Sequence, residues 1–108
     1  MYPHLASGYT VRSPTEDDIP AILALLRDFD LAEMGQADPV TPQRLLSDWD
    51  DLDPAADAWL MLASDGQLAG YATIMDDGGG RLLADGYVHP SRQGQGVGST
   101  IIDLTEAR

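Results

Sequence analysis

A glycine-rich turn between a strand-like and a helix-like segment is the feature that most restricts how this chain can fold. Gly94, Gly96 and Gly98 follow the strand-like residues 81–88 and precede a helical pattern that runs to Arg108. Glycine has no Cβ, so the backbone N–H groups of such a turn can approach a ligand closely, and the first turn of a helix adds a partial positive charge. A strand, a turn and a helix in this order suit a bound phosphate or pyrophosphate.

Two common phosphate-binding motifs fit this turn poorly. A Walker P-loop requires a Gly-Lys pair, and the chain contains no lysine. A dinucleotide fingerprint requires G-x-G-x-x-G in a parallel βαβ unit, whereas Ser99 occupies the last glycine position and the preceding strands are predicted to be antiparallel. A nucleotide-binding α/β fragment remains the weakest of the alternatives.

Length and charge exclude several classes of function. The 108 residues suffice for one small domain, and the formal net charge of −12 opposes binding to a nucleic-acid backbone. The chain has no cysteine and two histidines, so we expect no metal site and no thiol nucleophile. Its apolar runs are too short to span a membrane, and we expect a soluble, cytoplasmic protein.

Periodicity along the chain predicts the order β-α-α-β-β-β-α. The first strand is 9–12, and Thr41-Pro42 begins a short second helix. The first helix carries an apolar stripe at helical spacing that consists of Ile19, Ile22, Leu23, Leu26 and Phe29. Three antiparallel strands follow, with an Asp65-Gly66 hairpin turn between the first two, at 59–63, 67–75 and 81–88.

Read from Gln93, the turn has the pattern Gln93-x-x-Gly96-x-Gly98. This pattern resembles the acyl-CoA-binding motif Q/R-x-x-G-x-G/A of the GNAT superfamily of N-acyltransferases. Val88-His-Pro90 resembles the segment with which the chain usually leaves the fourth strand in that family. The family also begins with a strand, two helices and three antiparallel strands, so the resemblance covers the whole chain. It implies a mixed α/β (α+β) fold around a mostly antiparallel sheet.

The resemblance implies that acetyl-CoA is the acyl donor and that the reaction uses no metal. Backbone N–H groups of the turn would hold the CoA pyrophosphate. These groups belong to Gln93, Gly94, Gln95, Gly96, Val97, Gly98 and Ser99. Tyr87 and Val88 would pair their main chains with the pantetheine arm, and the Val88 amide would polarise the acyl carbonyl. Arg92 is either a side-chain partner of the phosphates or a solvated loop residue.

The acceptor implied by the resemblance is a primary amine on a small molecule or peptide. Asp85 lies two residues before Tyr87 in the fourth strand and therefore on the same face of the sheet, so it is the nearest carboxylate that can serve as a base; the alternative is a solvated strand acid. His89 is either a proton shuttle or the cap of the turn at the strand exit. Acids around the loop between the first two helices either favour a cationic amine or are solvated, namely Asp28, Asp30, Glu33 and Asp38.

The family fold continues past the motif helix with further strands, whereas this chain stops at Arg108. We therefore expect residues 1–108 to form a single, incomplete acyl-CoA-binding domain with the C-terminal part of the fold absent. It would be a fragment, a half-domain completed by another chain, or a remnant that folds without catalysing. The fourth strand would then be an exposed edge, and we expect self-association or marginal stability. The alternative function is a non-catalytic domain that binds CoA or pyrophosphate, or a structural partner domain.

Overall fold

The computed structural model describes residues 5, 8–35, 41–50, 53, 57–76 and 82–106. Its elements are β1 (Thr10–Arg12), α1 (Ile19–Met34), α2 (Pro42–Asp50), β2 (Ala58–Leu62), β3 (Leu68–Asp76), β4 (Leu82–Val88) and α3 (Val97–Glu106). Short 3-10 turns precede α1 at Glu16–Asp18 and α3 at Pro90–Arg92. The predicted order β-α-α-β-β-β-α is confirmed. The predicted end of the last helix at Arg108 and the loop acid Asp38 lie outside the described residues.

The start of α1 is fixed by an ion pair. Arg12 at the end of β1 donates from both terminal nitrogens to the Asp18 carboxylate, at 2.8 and 2.7 Å. The Thr15 amide also donates to this carboxylate, at 2.8 Å. The hydrogen bond from Arg12 is the main reason that the pKa of Asp18 falls to about 2.

The four strands form one antiparallel sheet in the order β1-β2-β3-β4. Each strand pairs with its successor in sequence, and Leu60, Tyr71 and Tyr87 lie side by side across β2, β3 and β4. A register shift between Met61 and Leu62 interrupts the pairing of β2 with β3. In the sheet formed by the described residues, β4 is therefore an edge strand.

Helices cover both faces of this sheet because strand side chains alternate between the faces. On one face, α1 and α2 bury an apolar cluster composed of Ile19, Ile22, Leu25, Leu45, Trp49, Ala58, Leu60, Leu68 and Tyr71. On the other face, α3 packs against residues of β2 and β3 in a second cluster that includes Met61, Ala72, Val97 and Ile101. The predicted α/β (α+β) fold class is confirmed.

Two glycines let α3 lie close to the sheet. A Cβ on Gly70 of β3 would lie 2.5 Å from Val97 Cγ1, and one on Gly86 of β4 would lie 2.7 Å from Ile101 Cγ2. Both distances are shorter than any carbon–carbon contact can be without movement of one partner. The N-terminal half of α3 is therefore placed over β3 and β4 by the absence of side chains at these two positions.

Gly70→Ala should lower the free energy of unfolding by about 1–3 kcal/mol, because the new methyl group overpacks the contact with Val97. Adding Val97→Ala to it should cost less than the sum of the two single changes, since the second change makes room for the first. Urea unfolding of the three variants measures this coupling. Gly98→Ala is the control, because its Cβ would meet only Val88 Cγ2 at 3.9 Å. Additive costs would show that α3 does not pack as described.

Acid should weaken the fold partly through Asp18. Its pKa is depressed to about 2, so its stabilising contribution is present above the ordinary value of 3.8 and is lost as the pH falls toward 2. Asp18→Asn should therefore lower the melting temperature at pH 7 and flatten its decline between about pH 4 and 2. The control is Asp17→Asn at the exposed neighbouring position. Parallel melting curves for wild type and Asp18→Asn would contradict this role.

Candidate functional site

The glycine-rich turn connects the end of β4 to the start of α3. The His89 amide donates to the Ala69 carbonyl at 2.8 Å and closes the strand pairing, after which the chain makes the 3-10 turn 90–92. Gly94 and Gly96 both have φ of +83°. That backbone conformation disfavours any residue with a Cβ, so the shape of the turn requires glycine at both positions.

The amides that follow have no partner within the described part of the protein. Among the described residues, no backbone or side-chain acceptor is bonded to the N–H groups from Gln93 through Ser99. The next amide along the chain, that of Thr100, donates to the Gly96 carbonyl at 3.0 Å. Unpaired donors at the start of the ten-residue α3 combine with the positive end of its dipole. The turn can therefore accept an anionic group.

The Val88 amide lies on the open edge of the sheet. Ala69 and His89 form a hydrogen-bonded pair, and hydrogen-bonded and non-bonded pairs alternate along antiparallel strands. The Gly70–Val88 pair is therefore non-bonded, and Val88 directs its N–H and C=O away from β3. The same alternation directs the Tyr87 main chain toward Tyr71 on β3. Of these two residues, Val88 is the one whose amide faces the edge.

His89 caps the 3-10 turn, which confirms that interpretation of its sequence position. Its Nδ1 accepts from the Ser91 amide at 3.1 Å, so this nitrogen carries no proton. The proton then resides on Nε2, which lies 2.9 Å from Asp28 Oδ2 on α1. His89 therefore connects the strand exit to α1, and Asp28 has a structural partner.

Arg92 is held by the hairpin between β2 and β3. Its Nε donates to Gln67 Oε1 at 2.7 Å, and its Nη2 donates to Asp65 Oδ2 at 2.6 Å. Only 20% of its side chain is exposed, so it is not a solvated loop residue. The hairpin turn at Asp65-Gly66 was predicted. The bonds from this hairpin to Arg92, which lies 27 positions after Asp65 and 25 after Gln67, were not predicted, because no local sequence pattern indicates such a contact.

Aromatic side chains cover the α1 and α2 face of β4. The Tyr71 and Tyr87 rings stack with centroids 6.4 Å apart, and Phe29 meets Tyr87 edge-on at 5.2 Å. Trp49 Nε1 donates to the Tyr71 hydroxyl at 2.9 Å. Burial raises the pKa of Tyr71 to about 12. Burial also raises the pKa of Tyr87, so both phenols stay neutral at physiological pH.

Asp85 shares a sheet face with Tyr87 and is exposed to solvent. It lies opposite Thr73 across the β3–β4 pairing. After burial, the charge of Asp85 is the next cause of the raised pKa of Tyr87, followed by the charges of Asp30 and Asp48. The structure thus brings Asp85 close to the aromatic face, on the side of the sheet opposite α3.

A family model supports the same assignment as the fold. The Acetyltransferase (GNAT) family model matches residues 22–108. This chain belongs to the GNAT family. The resemblance seen in the Gln93–Ser99 motif is confirmed, and the match includes the strand, the turn and the helix described above. A comparison with curated proteins gives no match.

Solved acetyltransferases share the GNAT fold of this chain. A GCN5-related N-acetyltransferase from Sphaerobacter thermophilus has a TM-score of 0.86 and 32% identity, over 95% of this chain and 32% of that chain. A putative acetyltransferase from Salmonella typhimurium with its cofactor acetyl-CoA has a TM-score of 0.67 and 24% identity, over 94% and 65% of the two chains. A phosphinothricin acetyltransferase from Sinorhizobium meliloti in complex with acetyl-CoA has a TM-score of 0.70 and 17% identity, over 93% of this chain and 59% of that chain.

The chain is short relative to these structures. The chain spans about a third of the Sphaerobacter protein and less than two-thirds of the other two.

Within the described residues, none of the helices has the length and apolarity needed to cross a membrane.

Proposed function

We propose that this chain is the acyl-donor-binding part of an N-acetyltransferase that moves the acetyl group of acetyl-CoA to a primary amine. The observation that carries the proposal is the row of unpaired amides from Gln93 to Ser99 at the start of α3. The open Val88 amide at the end of β4 supports it, because it lies on the strand that leads into this row. Two structural neighbours were solved with acetyl-CoA, which supports the choice of ligand.

The turn fits the pyrophosphate of an acyl-CoA. Its amides supply several hydrogen-bond donors, and the dipole of α3 adds positive potential without any charged side chain. Gly98 leaves open space, since its Cβ would have only one neighbour within 4 Å. A phosphate group would therefore meet donors and free space in a chain whose overall charge is −12.

The edge of β4 would hold the acyl arm. Acetyl-CoA supplies a thioester whose carbonyl carbon an amine can attack, so that the C–N bond forms as the C–S bond breaks. The Val88 N–H would donate to the thioester oxygen and stabilise the negative charge that develops there. Because β4 is paired with β3 along its length, this donor is held in place before the reaction begins.

The amine would approach from the aromatic face of β4. Asp85 is the carboxylate that we propose accepts its proton, directly or through a water molecule. Neighbouring carboxylates on α1 and α2, Asp30 and Asp48, add negative potential around Tyr87. An acceptor that carries positive charge, either a small molecule or a peptide, would be favoured on this face.

A non-catalytic acyl-CoA-binding domain is the second candidate. The amides from Gln93 to Ser99 favour it, because they can bind the pyrophosphate of an acyl-CoA whether or not a base lies nearby. Thiol release from acetyl-CoA with a panel of amines separates the two, because a binding domain has affinity for acetyl-CoA but releases no thiol. Amine-dependent release that falls at least about tenfold in Asp85→Asn would support Asp85 as the base.

Ser99→Asp should change folding and binding in opposite directions. Position 99 is exposed in the first turn of α3, so a carboxylate there should stabilise the helix by about 0.3–1 kcal/mol. The same carboxylate would repel the pyrophosphate and weaken acetyl-CoA binding by roughly tenfold or more. Thermal melting and calorimetric titration with acetyl-CoA measure the two effects.

Gln43→Glu is the matched control for this charge. It adds one carboxylate to the exposed first turn of α2, on the other face of the sheet. It should give a similar gain in melting temperature and no change in acetyl-CoA affinity. Equal affinities of wild type and Ser99→Asp would contradict binding at the turn, as would wild-type protein without affinity for acetyl-CoA.

A further inference from the structure

We infer that His89 and Arg92 are positioning residues that hold the 93–99 turn in the shape that binds the acyl donor. The inference rests on the proposed binding of acetyl-CoA at this turn. Its basis is the short 3-10 turn 90–92, which immediately precedes the glycines and is fastened by side chains from two different parts of the fold.

His89 fastens the start of the 3-10 turn. Its ring nitrogens join the Ser91 amide on one side and Asp28 of α1 on the other, at 3.1 and 2.9 Å. Its own amide is bonded to β3 through the Ala69 carbonyl. Three bonds to three segments leave little freedom for the direction in which the chain leaves β4, and the ring is 16% exposed.

Arg92 fastens the end of the 3-10 turn. Its guanidinium makes two bonds to the hairpin, with Gln67 and Asp65, just before the first residue of the turn. The Asp65 carboxylate compensates the positive charge of Arg92. Hydrogen bonds from the backbone N–H of Gln67 and from Arg92 lower the pKa of this carboxyl. Arg92 therefore contributes geometry to the turn rather than an uncompensated charge.

The turn needs such external supports because of its composition. Glycines lose more conformational freedom on ordering than other residues. Among the described residues, the amides from Gln93 to Ser99 make no bond that would stiffen the turn from within. A further support is the bond from the Tyr9 hydroxyl to Gln95 Oε1. Amides that are already held in place bind a ligand more tightly, since less entropy is lost on binding.

Two substitutions of Arg92 separate the effect of its geometry from that of its charge. Arg92→Lys keeps the positive charge but cannot make two bonds in a fixed plane, whereas Arg92→Gln loses both features. If Arg92 positions the turn, both variants should raise the Kd for acetyl-CoA by a similar factor, about two- to tenfold. If Arg92 acts by its charge, the lysine variant should bind like the wild type, and the inference would be overturned.

Two substitutions of His89 test its two side-chain bonds separately. His89→Asn places an acceptor near the position of Nδ1 and caps turns well, but it cannot reach Asp28. His89→Ala loses both bonds. We expect the Kd for acetyl-CoA to increase from wild type to His89→Asn and again to His89→Ala. Equal affinities in all three proteins would overturn the role of His89.

A measurement without ligand keeps this test independent of the proposed function. The 15N heteronuclear NOE of the amides from Gln93 to Ser99 reports their order in the free protein. It should fall in His89→Ala and in both Arg92 variants. Unchanged NOE values, or lower values with unchanged affinity, would overturn the inference. Wild-type protein that has an ordered turn but no affinity for acetyl-CoA would instead refute the proposed function.

Arg12→Gln is the matched control for Arg92→Gln. Arg12 also makes two bonds to a carboxylate, that of Asp18, but these bonds hold the start of α1 rather than the turn. It should lower the melting temperature without changing the NOE values of 93–99 or the affinity for acetyl-CoA. A change in affinity equal to that of Arg92→Gln would show that general loss of stability explains the effect, which would also overturn the inference.

Discussion

The close packing of α3 on β3 and β4 is the contact on which the rest of the structure depends. It is made possible by Gly70 and Gly86, where a Cβ would collide with Val97 and Ile101. This packing places the start of α3 beside the end of β4, so the helix dipole, the unpaired amides and the strand edge act at one location. Without it, the residues of the motif would be present but not aligned with the strand that leads to them.

The site also shows how an acidic chain can bind an anion. Its net charge of −12 sets the potential at long range, whereas hydrogen bonds to backbone amides act over about 3 Å. Arg92, the basic residue that directly precedes the turn in the sequence, is paired with Asp65 and fixes the conformation of the turn. Recognition at this site therefore depends on the direction of backbone dipoles, and on the polar bonds that fix that direction.

Local patterns predicted the elements, and long-range contacts had to come from the structure. Alternation and helical spacing predicted each strand and helix, and Gln93-x-x-Gly96-x-Gly98 predicted the family. Leu25 lies outside the predicted apolar stripe of α1 yet is 2% exposed, because α1 contacts both the sheet and α2. The bonds of Arg92 and His89 join residues 25 and 61 positions apart. No local period encodes such pairs, so the supports of the turn could not be predicted.

The central claim is that the unpaired amides of the turn bind the acyl donor. The most direct measurement is a 1H–15N correlation spectrum of the chain during titration with acetyl-CoA, with ATP and NAD as controls for general pyrophosphate binding. If these amides bind the donor, saturable shifts should be concentrated at Gly94, Gly96, Gly98 and Ser99 and extend to Val88, at lower concentrations of acetyl-CoA than of the controls. Shifts elsewhere with an unchanged turn, or equal responses to all three ligands, would contradict this claim.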